Sequence, residues 1–229
     1  MVVLVHHLNV SQSERVPWLC EELSIPYELK TYKRAPLFAP PEYKALHPIG
    51  SSPVINDGKV TLAESGACVE YLAHIHGGGK LFLPPSHPEY PTFLYWWHTA
   101  NGSLQAGMST AMRTRSLPAD NRSRISADEK VKQVLKLLNE QVGKTVWLAG
   151  KEFTVADIMA VFSLTTMRYF YPVDLTGFDG ILGYLKRVAE RPAYKRAMEK
   201  SDPDMELVLG AKPPAKEKRL VPLDDVQVL

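Results

Sequence analysis

Apolar positions along this chain repeat first with strand-like and then with helical spacing. Residues 2–6 (Val-Val-Leu-Val-His) are a short β-branched run that ends in a polar loop, which predicts a buried strand. Val16, Leu19, Cys20 and Leu23 then recur at helical spacing and predict a helix over residues 12–24. Pro17 lies inside that window. It would remove a hydrogen bond and clash one turn back, so the helix must start late, at about residues 12–14, or bend there. Ile25-Pro26 breaks the pattern, and residues 27–32 alternate as a second strand. A proline-rich stretch (Pro36, Pro40, Pro41) leads to a short helical piece at residues 42–46. Val54-Ile55 and Val60-Thr61-Leu62 flank Asn56-Asp57-Gly58, a hairpin signal, and a helix is expected over residues 65–76. The order β-α-β-α-β-β-α, with its antiparallel hairpin and closing helix, is an α/β arrangement.

Residues 77–88, dense in glycine and proline, read as a linker. Beyond them the spacing is helical, over about 89–115, 121–143, 154–170, 178–190 and 192–201, and no strand alternation of useful length survives. The expected organisation is an α/β domain over residues 1–77, an all-helical domain over 89–202 and a C-terminal extension over 203–229. One helix start is well marked. In Phe153-Thr154-Val155-Ala156-Asp157-Ile158, Thr154 is placed to cap the Asp157 N–H while the Asp157 side chain reaches back, and Phe153 and Ile158 fit a hydrophobic staple. The extension holds apolar pieces, Leu207-Val208-Leu209 and Val226-Gln227-Val228-Leu229, and is expected to lie against the body of the protein.

Composition then narrows the chemistry. A chain of 229 residues, 45% hydrophobic, supports one large or two modest domains. Its net charge of +2, with no basic stripe interleaved with aromatics, argues against a nucleic-acid partner. No stretch approaches the ~18 apolar residues of a membrane span, and the start, Met-Val-Val-Leu-Val-His-His, lacks a basic leader region. Cys20 and Cys68 fall inside apolar helical runs, as buried thiols in a reducing compartment would. A soluble cytoplasmic protein is the expectation. His74 and His76, two apart on a helix, point to different faces, and no zinc-type spacing occurs, so no metal is expected.

The hairpin carries the most specific chemistry. Pro53 directly precedes its first strand, where a missing N–H is tolerated and a cis bond would turn the backbone sharply. That leaves the N–H and C=O of Val54 as partners for an extended peptide alongside. Glu64-Ser65 follows the second strand, and Ser65 at a helix start offers a hydroxyl and N–H groups to a carboxylate. Together these suit a small peptide with an acidic end.

Pro53, Glu64 and Ser65 resemble the glutathione-binding half of the thioredoxin-like domain in cytosolic glutathione transferases, which place a cis-proline before the third strand and Glu/Gln-Ser at the third helix. The Thr154–Asp157 box and Arg191-Pro192-Ala193-Tyr194 are similar to that family's sixth-helix box and closing helix, so the resemblance runs from residue 2 to about 200. Ser11-Gln12-Ser13-Glu14-Arg15-Val16-Pro17-Trp18-Leu19 is similar to the serine-type classes, theta and phi, and closer to a fungal and bacterial set reading Ser-x-Ser-x-Arg-[Ile/Val]-x-Trp-Leu. With no tyrosine in the first 26 residues, the tyrosine-dependent classes are excluded.

The resemblance implies a thioredoxin-like βαβαββα domain followed by an all-helical domain, with glutathione as co-substrate. It implies a homodimer that conjugates glutathione to small hydrophobic electrophiles in detoxification, and peroxidase activity towards organic hydroperoxides. Two alternatives stand beside it, a non-catalytic glutathione- or partner-binding protein of the same fold and a dedicated biosynthetic conjugating enzyme. Ser11 is the implied catalytic residue, with Asn9 as the alternative sulfur donor. Ser51, Pro53, Val54, Glu64 and Ser65 are the implied glutathione contacts. Ser51 stands where many relatives carry a lysine for the glycyl carboxylate, which leaves Arg34 or Lys44 to compensate, or a weaker glycyl contact. Tyr95, Trp97, Asn101 and Met108 are the implied electrophile pocket.

Overall fold

The β-branched run at the start of the chain forms β1 (Val3–Leu8), paired in parallel with β2 (Tyr27–Tyr32) so that Val3 faces Tyr27 and Leu8 faces Tyr32. The computed structural model describes residues 2–221 and 227–228. Between the first two strands a 3-10 turn, Gln12–Glu14, leads into α1 (Arg15–Leu23). Pro17 therefore sits in the first turn of α1, where its missing N–H has no helical carbonyl to bond. The late start inferred from that proline holds. After α2 (Pro41–Lys44), the hairpin strands β3 (Val54–Asp57) and β4 (Val60–Ala63) complete a sheet of order β2-β1-β3-β4, closed by α3 (Ser65–Ile75). β3 runs antiparallel to both its neighbours. This is the expected thioredoxin-like order.

Strand periodicity decides what each β1 side chain meets. Leu8 packs with Tyr32, Tyr43, Val54 and Ala63 on one face of the sheet. His7, one residue earlier, is directed to the opposite face. There it is fully buried.

The helical stretch comprises α4 (Tyr90–Thr99), α5 (Ala106–Thr114), α6 (Arg122–Lys144), α7 (Val155–Leu164) and α8 (Asp179–Glu190), with a π-helical segment, Ala100–Gln105, joining α4 to α5. Every residue of α7 is buried, so its start must satisfy its polar groups internally. Asp157 does this. Its carboxylate accepts the Thr154 N–H at 2.9 Å, the Leu148 N–H at 3.0 Å and the Tyr184 hydroxyl at 3.0 Å.

The next helix, α9 (Pro192–Ser201), does not belong with α4–α8. The chain divides into one unit of Met1–Phe82 with Ala189–Glu206 and another of Leu83–Val188 with the chain from Leu207 onward. The Tyr194 ring meets Trp18 edge-on at 4.8 Å, and Arg191 grips Glu22 through two bonds of 2.7 and 2.6 Å. Periodicity alone grouped α9 with the other helices, because it reports a helix and not the face that the helix packs against.

One buried cation helps to hold the chain from Leu207 within the second unit. Arg168 is 0% exposed, and its guanidinium donates to the carbonyls of Val173 at 2.9 Å, Gly210 at 2.8 Å and Ala211. A two-residue strand β5 (Val173–Asp174) pairs with β6 (Gln227–Val228), a small ladder in a half that reads as purely helical. Val226 and Leu229, part of the second apolar piece, lie outside the described residues. Truncation after Asp202 strips Arg168 of its tail carbonyls, and a buried cation losing partners costs about 3–5 kcal/mol. The melting temperature should fall by roughly 10 °C by calorimetry. A fall of under about 1 °C would show the tail to be a separate appendage.

Candidate active site

The loop between β1 and α1 is shaped by buried partners on both sides. Val10 is held at φ 51, a left-handed conformation that costs a β-branched residue roughly 1–2 kcal/mol. Its N–H donates to Asp202 Oδ1 at 2.9 Å, at the end of α9, and its carbonyl accepts from Arg34 at 2.8 Å. Arg34 also donates to the carbonyl of Asn9 at 2.9 Å and to that of Leu37. Burial pulls this guanidinium down to about 10, against the pull of Asp202, so it stays a cation at neutral pH. Arg34 is therefore a brace for the loop, with donors turned onto its carbonyls.

Ser11 caps the 3-10 turn and is 4% exposed. Its Oγ accepts the Ser13 N–H at 3.2 Å, lies 2.7 Å from Ser13 Oγ, and receives the Ser52 hydroxyl at 3.1 Å. Gln12 Nε2 donates to the Ser52 carbonyl at 2.7 Å, and the Ser52–Pro53 peptide bond is cis. From the same helix start Arg15, fully buried, donates to Ser65 Oγ at 2.9 Å. Burial lowers the Arg15 pKa to about 9, with Glu14 opposing, so its positive charge stands behind the start of α3. Ser11, Pro53 and Ser65, distant in sequence, are thus tied together through Ser52, Gln12 and Arg15. The last three were not anticipated as site residues, although Arg15 stands inside the motif that carried the resemblance.

Glu64 is exposed and held at φ 71, just before Ser65. A second non-glycine residue with positive φ beside the same group of side chains fits a functional site. Ser51 is exposed, while Ser52 is buried.

Other expected residues lie elsewhere. Val54 is 1% exposed and sits in register with His6 on one side and Ala63 on the other, and its backbone bonds the Tyr43 hydroxyl. Its main chain is enclosed by neighbouring strands and is not open to an extended peptide. Met108 is 1% exposed, a core residue of the second unit and not part of a pocket wall. Tyr95 lines an open groove with Pro91, Thr92 and Leu137. Two residues earlier than Trp97, it lies about 200° around the helix from it. Trp97 and Asn101, four residues apart, are half-buried, and Asn101 lies in the π-helical segment. Burial pushes the Cys20 and Cys68 thiols up to about 12, so both stay protonated. Among the described residues no cluster of three His, Cys, Asp or Glu could hold a metal, and no helix is long and apolar enough to cross a membrane.

A thioredoxin-like sheet with a serine at its first helix, a cis-proline and a serine at its third, joined in one chain to a mainly helical unit, defines the glutathione-transferase type of fold. Residues 2–74 match the N-terminal domain model of glutathione S-transferase and residues 90–192 its C-terminal domain model, and the chain belongs to that family. It is 29% identical to glutathione S-transferase 3 of Schizosaccharomyces pombe over 87% of this chain and 88% of that one. It is 25% identical to glutathione S-transferase 1 of Saccharomyces cerevisiae, over 87% and 95%. A crystal structure of a glutathione S-transferase from Actinobacillus pleuropneumoniae superposes with TM-score 0.79 at 28% identity, covering 88% of this chain and 93% of that one.

The loop brace can be tested without a ligand. Arg34→Met removes charge-assisted bonds worth about 1.5–3 kcal/mol each, less what water restores. A melting temperature about 5–10 °C lower is expected. An unchanged value would mean the loop holds its shape without Arg34.

Proposed function

We propose that this protein conjugates reduced glutathione to small apolar electrophiles, in the manner of a serine-type detoxifying transferase. The observation that carries this reading is the position of the Ser11 hydroxyl, buried at the start of the first helical turn and bonded through Ser52 to the cis-proline corner. A hydrogen bond to a charged group contributes about 1.5–3 kcal/mol, enough to lower a thiol pKa near 8.5 by roughly one to two units. A helix start adds a field of the same sign, and bringing thiolate and electrophile together supplies further acceleration. The Asn9 amide donates to the Ser201 carbonyl at 3.1 Å and to Asp202 Oδ1 at 3.0 Å, which favours Ser11 over Asn9 as the sulfur's donor.

The γ-glutamyl carboxylate goes to Ser65 and the start of α3, backed by the Arg15 charge, and Glu64 faces the ammonium. The cysteinyl main chain pairs with Ser52, ahead of the strand, in place of Val54. Ser51 and the exposed Lys44 are the candidates for the glycyl end, because Arg34 is committed to the loop. Trp97 and Asn101 contact the electrophile. Glutathione transferases from Pseudomonas fluorescens and Burkholderia graminis, whose structures hold two glutathione molecules, support the choice of co-substrate. The protein acts as a homodimer, for which the exposed Ile75 on α3 and Tyr95 on α4 offer apolar surface.

Retention on immobilised glutathione followed by turnover of a panel of electrophiles tests the activity. Retention without turnover would leave a binding protein. Ser11→Ala should raise the pKa of bound glutathione by about one to two units and cut the rate at pH 6.5 about tenfold or more, with affinity nearly unchanged. Much of the rate should return above the new pKa. A thiolate absorbance that survives Ser11→Ala would remove Ser11 from the mechanism.

A further inference from the structure

The hydrogen bonds at Ser11 continue inward as a single chain. Ser11 Oγ lies 2.7 Å from Ser13 Oγ, Ser13 Oγ 2.8 Å from His7 Nδ1, and His7 Nε2 2.8 Å from Asp202 Oδ2. All of these groups are buried: Ser13 and His7 are 0% exposed, Ser11 4% and Asp202 5%. Burial opposes the charge on Asp202, but bonds from His7, Val10 and Asn9 outweigh it and hold the carboxyl below its usual range. Arg34 and this carboxylate also attract each other.

Proton positions follow from the chemistry of the groups. An ionised carboxylate only accepts, so His7 Nε2 carries a hydrogen. In the neutral ring Nδ1 is then a lone pair, and the Ser13 hydroxyl donates to it. Ser13 Oγ also accepts the Leu8 N–H at 3.1 Å, and the Leu8 carbonyl, at 3.3 Å, is a more distant acceptor for its hydrogen than His7 Nδ1 at 2.8 Å. With its one hydrogen committed, Ser13 can only accept from Ser11. The Ser11 hydrogen therefore points into the protein and away from a bound sulfur.

We infer that His7, paired with Asp202, is the acceptor of the thiol proton, reached through Ser11 and Ser13. This rests on the reading of Ser11 as the sulfur's partner. The Ser52 hydroxyl turns from Ser11 Oγ to leave it a lone pair, and the S–H proton passes to Ser11 Oγ while the Ser11 proton passes to Ser13 Oγ and the Ser13 proton to His7 Nδ1. For each S–H or O–H bond broken, one O–H or N–H bond forms, and no electrons change hands. The products are a thiolate and an imidazolium held by Asp202. Every hydrogen bond in the chain now points outward, from His7 to Ser13, Ser13 to Ser11 and Ser11 to the sulfur. Ser11 becomes the thiolate's donor only when His7 holds the proton. Ser13, His7 and Asp202 are positioning and relay residues, since Ser11 alone touches the sulfur.

Counting protons tests this on the intact protein. Calorimetric titration of glutathione at pH 7 in buffers of different ionisation enthalpy gives the protons released on binding, and ultraviolet absorbance gives the thiolate formed. S-methylglutathione, which has no thiol to ionise, supplies the baseline. Thiolate absorbance with nearly no thiol proton released is the expected result. In His7→Gln each remaining thiolate should release its proton to the buffer. One proton released per thiolate by the unaltered protein overturns the inference, and that measurement depends on no variant folding. If Ser11→Ala abolishes the absorbance while the unaltered protein releases the full proton, Ser11 stands and the relay alone falls. If Ser11→Ala leaves the absorbance intact, both fall.

Discussion

An ionised carboxylate buried to 5% exposure dictates what surrounds it, because a charge out of water costs several kcal/mol unless donors replace its hydration. Asp202 obtains those donors from the end of β1 and the loop after it: the His7 ring at 2.8 Å, the Asn9 amide at 3.0 Å and the Val10 N–H at 2.9 Å. Turning the Val10 N–H towards the carboxylate places that residue in the left-handed region, and Arg34 secures the carbonyls that the same turn directs the other way. Anion and cation clamp the loop between them. The orientation of Ser11 follows.

This makes α9 part of the site's foundation although it follows α4–α8 in the chain. Its pairing with α1, through Tyr194 on Trp18 and Arg191 on Glu22, fixes where Asp202 arrives. The opposite side of the site is built by the same device. Arg15, buried, aligns Ser65 at a helix start while Glu64 is held in a strained turn beside it. Two non-glycine residues with positive φ, Val10 held by Arg34 and Glu64 next to the Ser65 that Arg15 bonds, flank the candidate site. Such strain persists only where surrounding bonds over-determine it.

The element order was legible because each segment carries its own period and its own punctuation. Pro17 located the start of α1, and Asn-Asp-Gly located the hairpin. Ser11, Pro53 and Ser65 were legible because local motifs mark them. What stayed hidden depends on partners far away in sequence. Nothing local to Asp202, after a charged helix, marks it as the partner of a histidine on the first strand. Arg34 looks from sequence like a free cation for a ligand carboxylate, because only the folded loop reveals the carbonyls that occupy it. Val54 and Met108 were misplaced for a related reason. Composition identifies a strand or an apolar helix, but register and packing decide which of its atoms remain open.

The site's serines differ in kind from its backbone donors. An N–H at a helix start has a fixed direction and can only donate. A hydroxyl has one hydrogen and can turn, so it donates to one neighbour and accepts from the others. Ser11, Ser13 and Ser52 meet around one oxygen, at 2.7 and 3.1 Å, and are joined to a ring whose two nitrogens exchange roles with its charge. Ser13→Ala would keep the backbone N–H that Ser11 Oγ accepts and remove the inward acceptor of the Ser11 hydrogen. Direction of donation, and not position alone, is therefore a property that this cluster can vary, and the buried imidazole is the group whose state sets it.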